Sequence, residues 1–110
     1  FKVLVAAALG QGRTDAAYNA TMEARRPEGQ QSPETLARYR AAIGRSLDVM
    51  ADHLTGLPGE LTLGHISCGT GLGYLDLRHG DLKWREGRDA LAAWFEEFDA
   101  RPSMRETAPA

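Results

Sequence analysis

The chain has 110 residues, of which 43% are hydrophobic, and its formal net charge is −2 at pH 7. This length and composition allow one globular domain with one hydrophobic core, and they exclude an intrinsically disordered chain. The slightly acidic balance argues against nucleic-acid binding through bulk positive charge, and no apolar run approaches the roughly 20 residues that span a bilayer.

The first predicted element is an alanine-rich helix over residues 2–25, with Gly10 and Gly12 near its middle. These glycines indicate a kink or a close contact. The helix ends at Arg26-Pro27, because proline lacks a backbone donor and restricts the residue before it. The side chains that we expect to pack inward are Leu4, Ala8, Ala16, Tyr18 and Met22.

The second predicted helix has the clearest start in the chain. Ser32 is the expected N-cap and Pro33 the first helical residue, where its missing N–H carries no penalty. Apolar residues then recur at three- and four-residue steps up to Leu54, which predicts an amphipathic helix that ends at residues 55–59.

The third predicted helix begins at Thr62, whose hydroxyl is placed to accept a hydrogen bond from a first-turn N–H. A capping box has an acidic or amide side chain at the third helical position, whereas this chain has His65 there. We therefore expect half of the box to be present and half to be changed, with the neutral imidazole favoured. His65→Asp is expected to stabilise the chain by about 0.5–2 kcal/mol.

Four glycines, Gly64, Gly69, Gly71 and Gly73, lie within this third helix. Each costs about 0.5–1 kcal/mol relative to alanine, so the helix needs close packing to form. We predict a buried central helix with other backbones against its glycines. A nucleotide-binding loop is disfavoured because such a loop opens a helix after a strand, and these glycines follow the cap.

The remaining predicted elements complete an all-helical chain. The third helix ends at His79-Gly80, and a short turn carries Trp84 inward. A fourth helix begins near residue 87 or 88 with an aromatic core stripe and closes at Arg101-Pro102, before a tail with one helical turn. Since no segment shows the alternation of apolar and polar residues that is typical of strands, we predict an irregular all-α bundle of four main helices plus short turns.

The cysteine and histidine residues give little evidence of a catalytic or metal site. Cys68, the single cysteine, excludes an internal disulfide and fits a reducing, cytoplasmic compartment. Its predicted place on a buried helix favours an inert thiol over a nucleophile. His65 and Cys68 lie three residues apart, but a zinc site needs two more ligands at suitable spacing, so we predict no metal. The sequon at Asn19 lies within a predicted helix and is interpreted as chance.

A small, partly polar stripe on the first helix is the candidate binding feature. It consists of Gly12, Asp15, Ala16 and Asn19. Small side chains leave room for a ligand or another backbone, and an ordinary solvent face with one acid explains the stripe equally well. No Ser-His-Asp set, carboxylate pair or Walker-type loop is evident in the sequence.

An ordered set of motifs resembles the C-terminal helical domain of cytosolic glutathione S-transferases, bacterial members above all. The resemblance covers nearly the whole chain. In chain order, the motifs are Arg25-Arg26-Pro27, Gln31-Ser32-Pro33, Glu60-Leu61-Thr62-Leu63, Gly73-Tyr74-Leu75-Asp76-Leu77-Arg78, Trp84-Arg85, Ala90-Leu91-Ala92-Ala93-Trp94, Phe98 and Ala100-Arg101-Pro102-Ser103. Family members usually have Asp where this chain has His65.

The resemblance implies a supporting role in detoxification. Such a domain forms part of the pocket for a small electrophilic substrate, here expected at Gly12, Asp15, Ala16 and Asn19, and contributes to a homodimer interface. The family's thioredoxin-like domain, which binds the co-substrate glutathione and activates its thiol, is absent from this chain. We expect residues 1–110 to be a single helical domain cut from a longer parent, because the chain begins at Phe1 within a helical pattern. No catalytic residue is therefore carried over.

Two other functions remain open. One is a non-catalytic, glutathione-transferase-like module for protein interaction, as in translation-factor and synthetase assemblies. The other is an isolated helical bundle without a ligand. The residues upstream of Phe1 would separate both from a catalytic parent, which needs a thioredoxin-like pattern there.

Overall fold

The computed structural model describes residues 1–57 and 59–109, and every regular element within these ranges is helical. The five α-helices are α1 (Lys2–Ala24), α2 (Pro33–Thr55), α3 (Leu63–Arg78), α4 (Asp89–Asp99) and α5 (Pro102–Glu106), and 3-10 turns lie at Glu28–Gln30 and Gly80–Leu82. α1 packs against both α2 and α3, and α4 contacts α3 and α2. The predicted all-α bundle with four main helices is confirmed, with α5 as the expected helical turn in the tail.

The predicted helix starts are confirmed by their caps. Ser32 Oγ accepts the Thr35 N–H at 3.2 Å, and Pro33 is the first residue of α2. Glu23 near the end of α1 accepts the Ser32 N–H at 2.6 Å, which ties the two long helices together at their junction. Across the described ranges, no helix combines the length and the apolar character needed to cross a bilayer.

The side chains that α1 buries differ from those predicted. Leu4, Tyr18 and Met22 are 66%, 55% and 43% exposed, Ala8 is exposed, and only Ala16 is half-buried. The residues of α1 that are buried are Ala6, Gly10, Arg13, Ala17, Ala20 and Thr21. The prediction was wrong because it assigned large side chains to the interior, whereas a helix that lies close to two neighbours presents its small residues to them.

The closest approach between α1 and α3 occurs at Gly10. A Cβ atom there would lie 2.7 Å from the carbonyl carbon of Ser67 and 2.8 Å from the backbone nitrogen of Cys68. The Ser67 hydroxyl and the Cys68 thiol donate across the same contact to the carbonyls of Ala7 and Ala6, at 2.8 and 3.4 Å. The close contact predicted for Gly10 is therefore confirmed, whereas Gly12 faces open space.

Three of the four α3 glycines are packed as predicted. A Cβ at Gly64 would lie 3.0 Å from Ala6 Cβ, one at Gly69 would overlap the Phe98 ring, and one at Gly71 would overlap the Arg13 guanidinium. Gly73 has no neighbour within 4 Å of a built Cβ, so the prediction is wrong there. The packing partners are mostly side chains rather than the expected backbones.

The turn between α3 and α4 carries Trp84 into the core, as predicted, with 2% of its surface exposed. Its indole N–H donates to Asp76 at 2.8 Å, and Arg85 donates to both oxygens of the same carboxylate at 2.7 and 2.9 Å. The Arg85 guanidinium also lies 4.4 Å from the Trp84 ring centroid. This cluster fixes the start of α4 against the end of α3.

Candidate functional site

Two surface depressions flank α1, one on each side. The first lies between α1 and α3 and has a volume of about 430 Å³. It is lined by Ala7, Ala8, Gln11, Thr14, Leu63, Ile66, Ser67 and Thr70. Leu63 and Ile66 are 59% and 41% exposed, and Leu4, which precedes Ala8 by one helical turn, is 66% exposed. We call this feature, with Leu4, the α1–α3 groove.

The second depression lies between α1 and α2 and has a volume of about 440 Å³. Its walls are mainly small and apolar, and they are formed by Val5, Ala8, Leu9, Gly12, Arg13, Ala16, Ala42 and Ser46. We call it the α1–α2 cavity. Gly12 and Ala16, two of the four predicted site residues, are therefore brought together in its wall.

The other two predicted site residues, Asp15 and Asn19, are exposed and lie outside the walls of both depressions. Asp15 accepts a hydrogen bond from the Gln11 side-chain amide at 2.9 Å. Because Gln11 lines the α1–α3 groove, this bond places a carboxylate at the edge of that groove. The stripe that was predicted as one surface is thus divided between two sides of α1.

Arg13 is a buried charge beneath the site that the sequence pattern did not indicate. Its guanidinium donates to the carbonyl of Cys68 and to the sulfur of Met50, each at 2.9 Å, and links α1 to α3 and α2. Burial lowers the pKa of Arg13 to about 10, partly offset by the neighbouring Cys68, so the side chain is still charged at pH 7. It connects α1, which forms one wall of both depressions, to both neighbouring helices.

Cys68 is fully buried and donates to the carbonyl of Ala6. Burial raises the pKa of its thiol, against the opposing charge of Arg13, so the unreactive thiol form is favoured. The ring nitrogen Nδ1 of His65 is already engaged by Thr62. Among the residues that the structure describes, no three histidine, cysteine or acidic side chains gather as a metal site.

The residues that sequence reasoning missed are Gln11, Thr14, Leu63 and Ile66, which form the α1–α3 groove. Their signal is present in the sequence, because Leu63 and Ile66 belong to the first turn of a helix whose buried residues in its first half are Gly64, Cys68, Gly69 and, further on, Gly71. Large apolar side chains on the outer side of such a helix indicate a surface that another element covers.

Known proteins that are similar to this chain share one family description. The profile of the family described as glutathione S-transferase, C-terminal domain, matches residues 33–97. The chain is 34% identical over 105 residues to the Escherichia coli (strain K12) protein named uncharacterized GST-like protein YibF, and the match spans 93% of this chain and 52% of that relative. The chain therefore spans about half the length of this curated relative.

Solved structures resemble the whole bundle. A glutathione transferase family member from Pseudomonas fluorescens Pf-5, solved with bound S-(propanoic acid)-glutathione, superposes with a TM-score of 0.93 at 38% identity. The alignment covers 98% of this chain and 56% of that one. A glutathione S-transferase from Methylobacillus flagellatus KT with bound glutathione gives a TM-score of 0.91 at 35% identity, over 98% of this chain and 55% of that one.

Proposed function

Because the chain belongs to the glutathione S-transferase family, as a C-terminal domain, we propose that residues 1–110 form the helical domain of a glutathione transferase. In the proposed parent, a thioredoxin-like domain binds glutathione and lowers the pKa of its thiol. The helical domain holds a small apolar electrophile beside that thiol. The parent is a cytoplasmic homodimer that conjugates the two substrates.

The observation that carries the proposal is the exposed apolar α1–α3 groove. Leu63 and Ile66 line it, Leu4 precedes the lining residue Ala8 by one helical turn, and each of the three is more than two-fifths exposed. Contiguous exposed apolar surface of this kind marks an interaction site, and burying one such side chain contributes about 1.5–3 kcal/mol. We propose that the groove is where the thioredoxin-like domain docks. Nearly half of each matched relative lies outside the aligned region, which is long enough for such a domain.

The proposed substrate contacts lie along α1, between this groove and α2. Gly12 and Ala16 give the α1–α2 cavity a small, apolar wall suited to an apolar group. Asp15, held by Gln11 at the edge of the α1–α3 groove, and the exposed Asn19 add polar contacts along α1. The role of these four residues is burial and orientation, because the reacting thiol belongs to the other domain.

The proposed reaction needs no group from this chain to form a bond. The glutathione sulfur attacks the electrophilic carbon, a carbon–sulfur bond forms, and the leaving group departs with its electron pair. The buried Cys68 takes no part in this step, since its thiol is shielded between α1 and α3.

Exposed apolar side chains on the first two helices support the dimer proposal. Tyr18 and Met22 on α1 are 55% and 43% exposed, and Val49 on α2 is 42% exposed. We assign these residues to contacts with a second copy of the parent.

Calorimetric titration of glutathione into the parent protein and into the 110-residue chain tests this proposal. The parent should bind glutathione and the chain alone should not. Ile66→Glu in the groove should lower the melting temperature of the parent but not of the chain. Leu77→Glu, an equally exposed position of α3 outside the groove, is the matched control. A parent that fails to bind glutathione would favour the non-catalytic interaction module instead.

A further inference from the structure

The start of α3 is held by a complete capping box in which histidine takes the place of an acid. The Thr62 N–H donates to Nδ1 of His65 at 3.1 Å, and the Thr62 hydroxyl lies 2.8 Å from the same nitrogen. The His65 N–H donates to Thr62 Oγ1 at 3.5 Å. The half of the box that differs in the sequence is therefore still formed, because an unprotonated imidazole nitrogen accepts a hydrogen bond as a carboxylate does.

This geometry fixes the protonation state of the ring. A backbone N–H can only donate, so Nδ1 must be the acceptor and the ring proton must lie on Nε2. If Nδ1 gains a proton, two donors face each other and the bond to the Thr62 N–H is lost. The protonated ring can keep at most its contact with the Thr62 hydroxyl, while a positive charge appears at the positive end of the helix.

The neighbours of His65 come from three other parts of the fold. The Trp94 ring of α4 stacks on the imidazole, with ring centroids 6.3 Å apart and planes at 21°. The charged groups that line the same cavity of about 200 Å³ are Glu60 before the cap, Glu97 of α4 and Arg101 between α4 and α5. The two glutamates favour a protonated ring, whereas Arg101 opposes it.

We propose that the Thr62–His65 capping box is a pH-sensitive joint that closes the first turn of α3 at neutral pH and releases it in mild acid. An aspartate at position 65 would keep its acceptor down to about pH 4, given the ordinary pKa of its side chain. Histidine moves the loss of the capping bond to a higher pH than aspartate would, because the ordinary pKa of its side chain is about 6.5.

The surroundings of His65 support a loss of stability as the pH falls. Burial, together with the charge of Arg101, holds the pKa of His65 below its usual value of 6.5. The unfolded chain therefore takes up a proton before the folded chain does as the pH falls through 6.5. The contribution of the box to stability is thus fully present above pH 6.5, and it declines from there towards the lower pKa of the folded state.

The released turn carries two side chains of the α1–α3 groove, Leu63 and Ile66. Release in acid would therefore loosen the docking of the thioredoxin-like domain, a consequence that rests on the proposed function. The joint itself lies within this chain, so it is tested on the 110-residue chain without the parent. A failure of one proposal is then distinguishable from a failure of the other.

The direct test is an NMR titration of the 110-residue chain between pH 7.5 and 5.0. We expect the His65 ring to titrate below pH 6.5 and the Thr62 amide proton to shift with the same midpoint. A Thr62 amide that does not follow the His65 titration would overturn the proposal, as would a His65 midpoint above 6.5.

Thermal unfolding of His65→Asn gives a second, independent test. Asparagine keeps an acceptor for the Thr62 N–H but does not titrate, so we expect the unmodified chain to lose about 4 °C more than this variant between pH 7.5 and 5.0. His53→Asn, which removes a histidine near the end of α2, is the matched control and should keep the full acid sensitivity. Equal losses in the unmodified chain and His65→Asn would overturn the proposal.

Discussion

The guanidinium of Arg13 in α1 occupies the space that a side chain at Gly71 of α3 would need. Arg13 is 1% exposed, its Nε has no hydrogen-bond partner among the described residues, and its two bonds go to the Cys68 carbonyl and the Met50 sulfur. The glycine at position 71 therefore makes room for a buried cation, and the two positions are coupled.

Gly71→Ala should destabilise the chain because the new methyl group overlaps the Arg13 guanidinium. The expected loss in the free energy of unfolding is about 1–3 kcal/mol, the usual cost of overpacking a core. Urea unfolding of the 110-residue chain measures it. Gly73→Ala is the matched control, since a Cβ there meets nothing within 4 Å, and it should gain about 0.5–1 kcal/mol from helix propensity. Equal effects at the two positions would contradict the coupling.

Arg13→Met should raise the free energy of unfolding, by about 1 kcal/mol, because it replaces a buried cation with an apolar side chain of similar length. Arg13→Ala should lower it by about 2–5 kcal/mol, because truncation leaves a cavity between three helices. The two variants are compared by urea unfolding at pH 7. If Arg13→Met proved as destabilising as Arg13→Ala, the charge itself would be needed for the fold.

Asp76 should make the stability of the chain sensitive to strong acid. Burial opposes ionisation of this carboxyl group, but hydrogen bonds from Arg85 and Trp84 outweigh it and hold the pKa of Asp76 below its usual value of 3.8. Its contribution is therefore present above pH 3.8 and is lost as the pH falls through the lower pKa of the folded state.

Asp76→Asn should accordingly lower the melting temperature at pH 7, since a neutral amide binds Arg85 more weakly than a carboxylate does. The difference from the unmodified chain should shrink as the pH is lowered below 3.8. Asp52→Asn removes an exposed acid of α2 and should change the free energy of unfolding by less than about 0.5 kcal/mol. A difference at Asp76 that persisted unchanged at low pH would rule out the charge as its source.

The ends of the helices could be predicted closely from the sequence. The predicted caps Ser32 and Thr62 are the observed ones, and α1 ends one residue before the predicted residue 25. Capping is local chemistry: it depends on a side chain and a backbone group three residues apart, so the sequence contains the whole interaction. The same reasoning missed that His65 can act as the acceptor, because it treated only acids and amides as partners.

The interior of α1 could not be predicted, because hydrophobicity does not reveal how closely helices approach. Ala6, Gly10 and Ala17 are inside since they are small, and Leu4 is outside since the interface has no room for it. Arg13 was not predicted to be buried, because an isolated arginine in a sequence usually lies on the protein surface. Its burial depends on Gly71, which lies 58 residues away along the chain.

The candidate site was only partly predictable for a related reason. Helical spacing places Gly12, Asp15, Ala16 and Asn19 on one stripe, but it does not say which neighbouring helix each one faces. In the fold, α2 stands beside Gly12 and Ala16, whereas Asp15 is turned toward Gln11 at the α1–α3 groove. Their role in substrate binding stays a prediction.

Asp15→Ala in the parent protein should raise the KM for the electrophile about tenfold and leave kcat nearly unchanged, because the carboxylate orients the substrate but forms no bond with it. Steady-state kinetics at saturating glutathione measures both constants. Glu106→Ala on α5 removes an exposed acid from another part of the fold and should change neither constant. A KM unaffected by Asp15→Ala would place this residue on an ordinary solvent-exposed face.

The most direct test of the proposed function is the conjugation reaction of the parent protein. Purified parent is mixed with glutathione and a chlorinated nitroaromatic electrophile, and the thioether is followed by its absorbance while chloride release is measured in parallel. We expect equal amounts of thioether and chloride, formed well above the uncatalysed rate by the parent and only at the uncatalysed rate by the 110-residue chain. A parent no faster than buffer would contradict the proposed function.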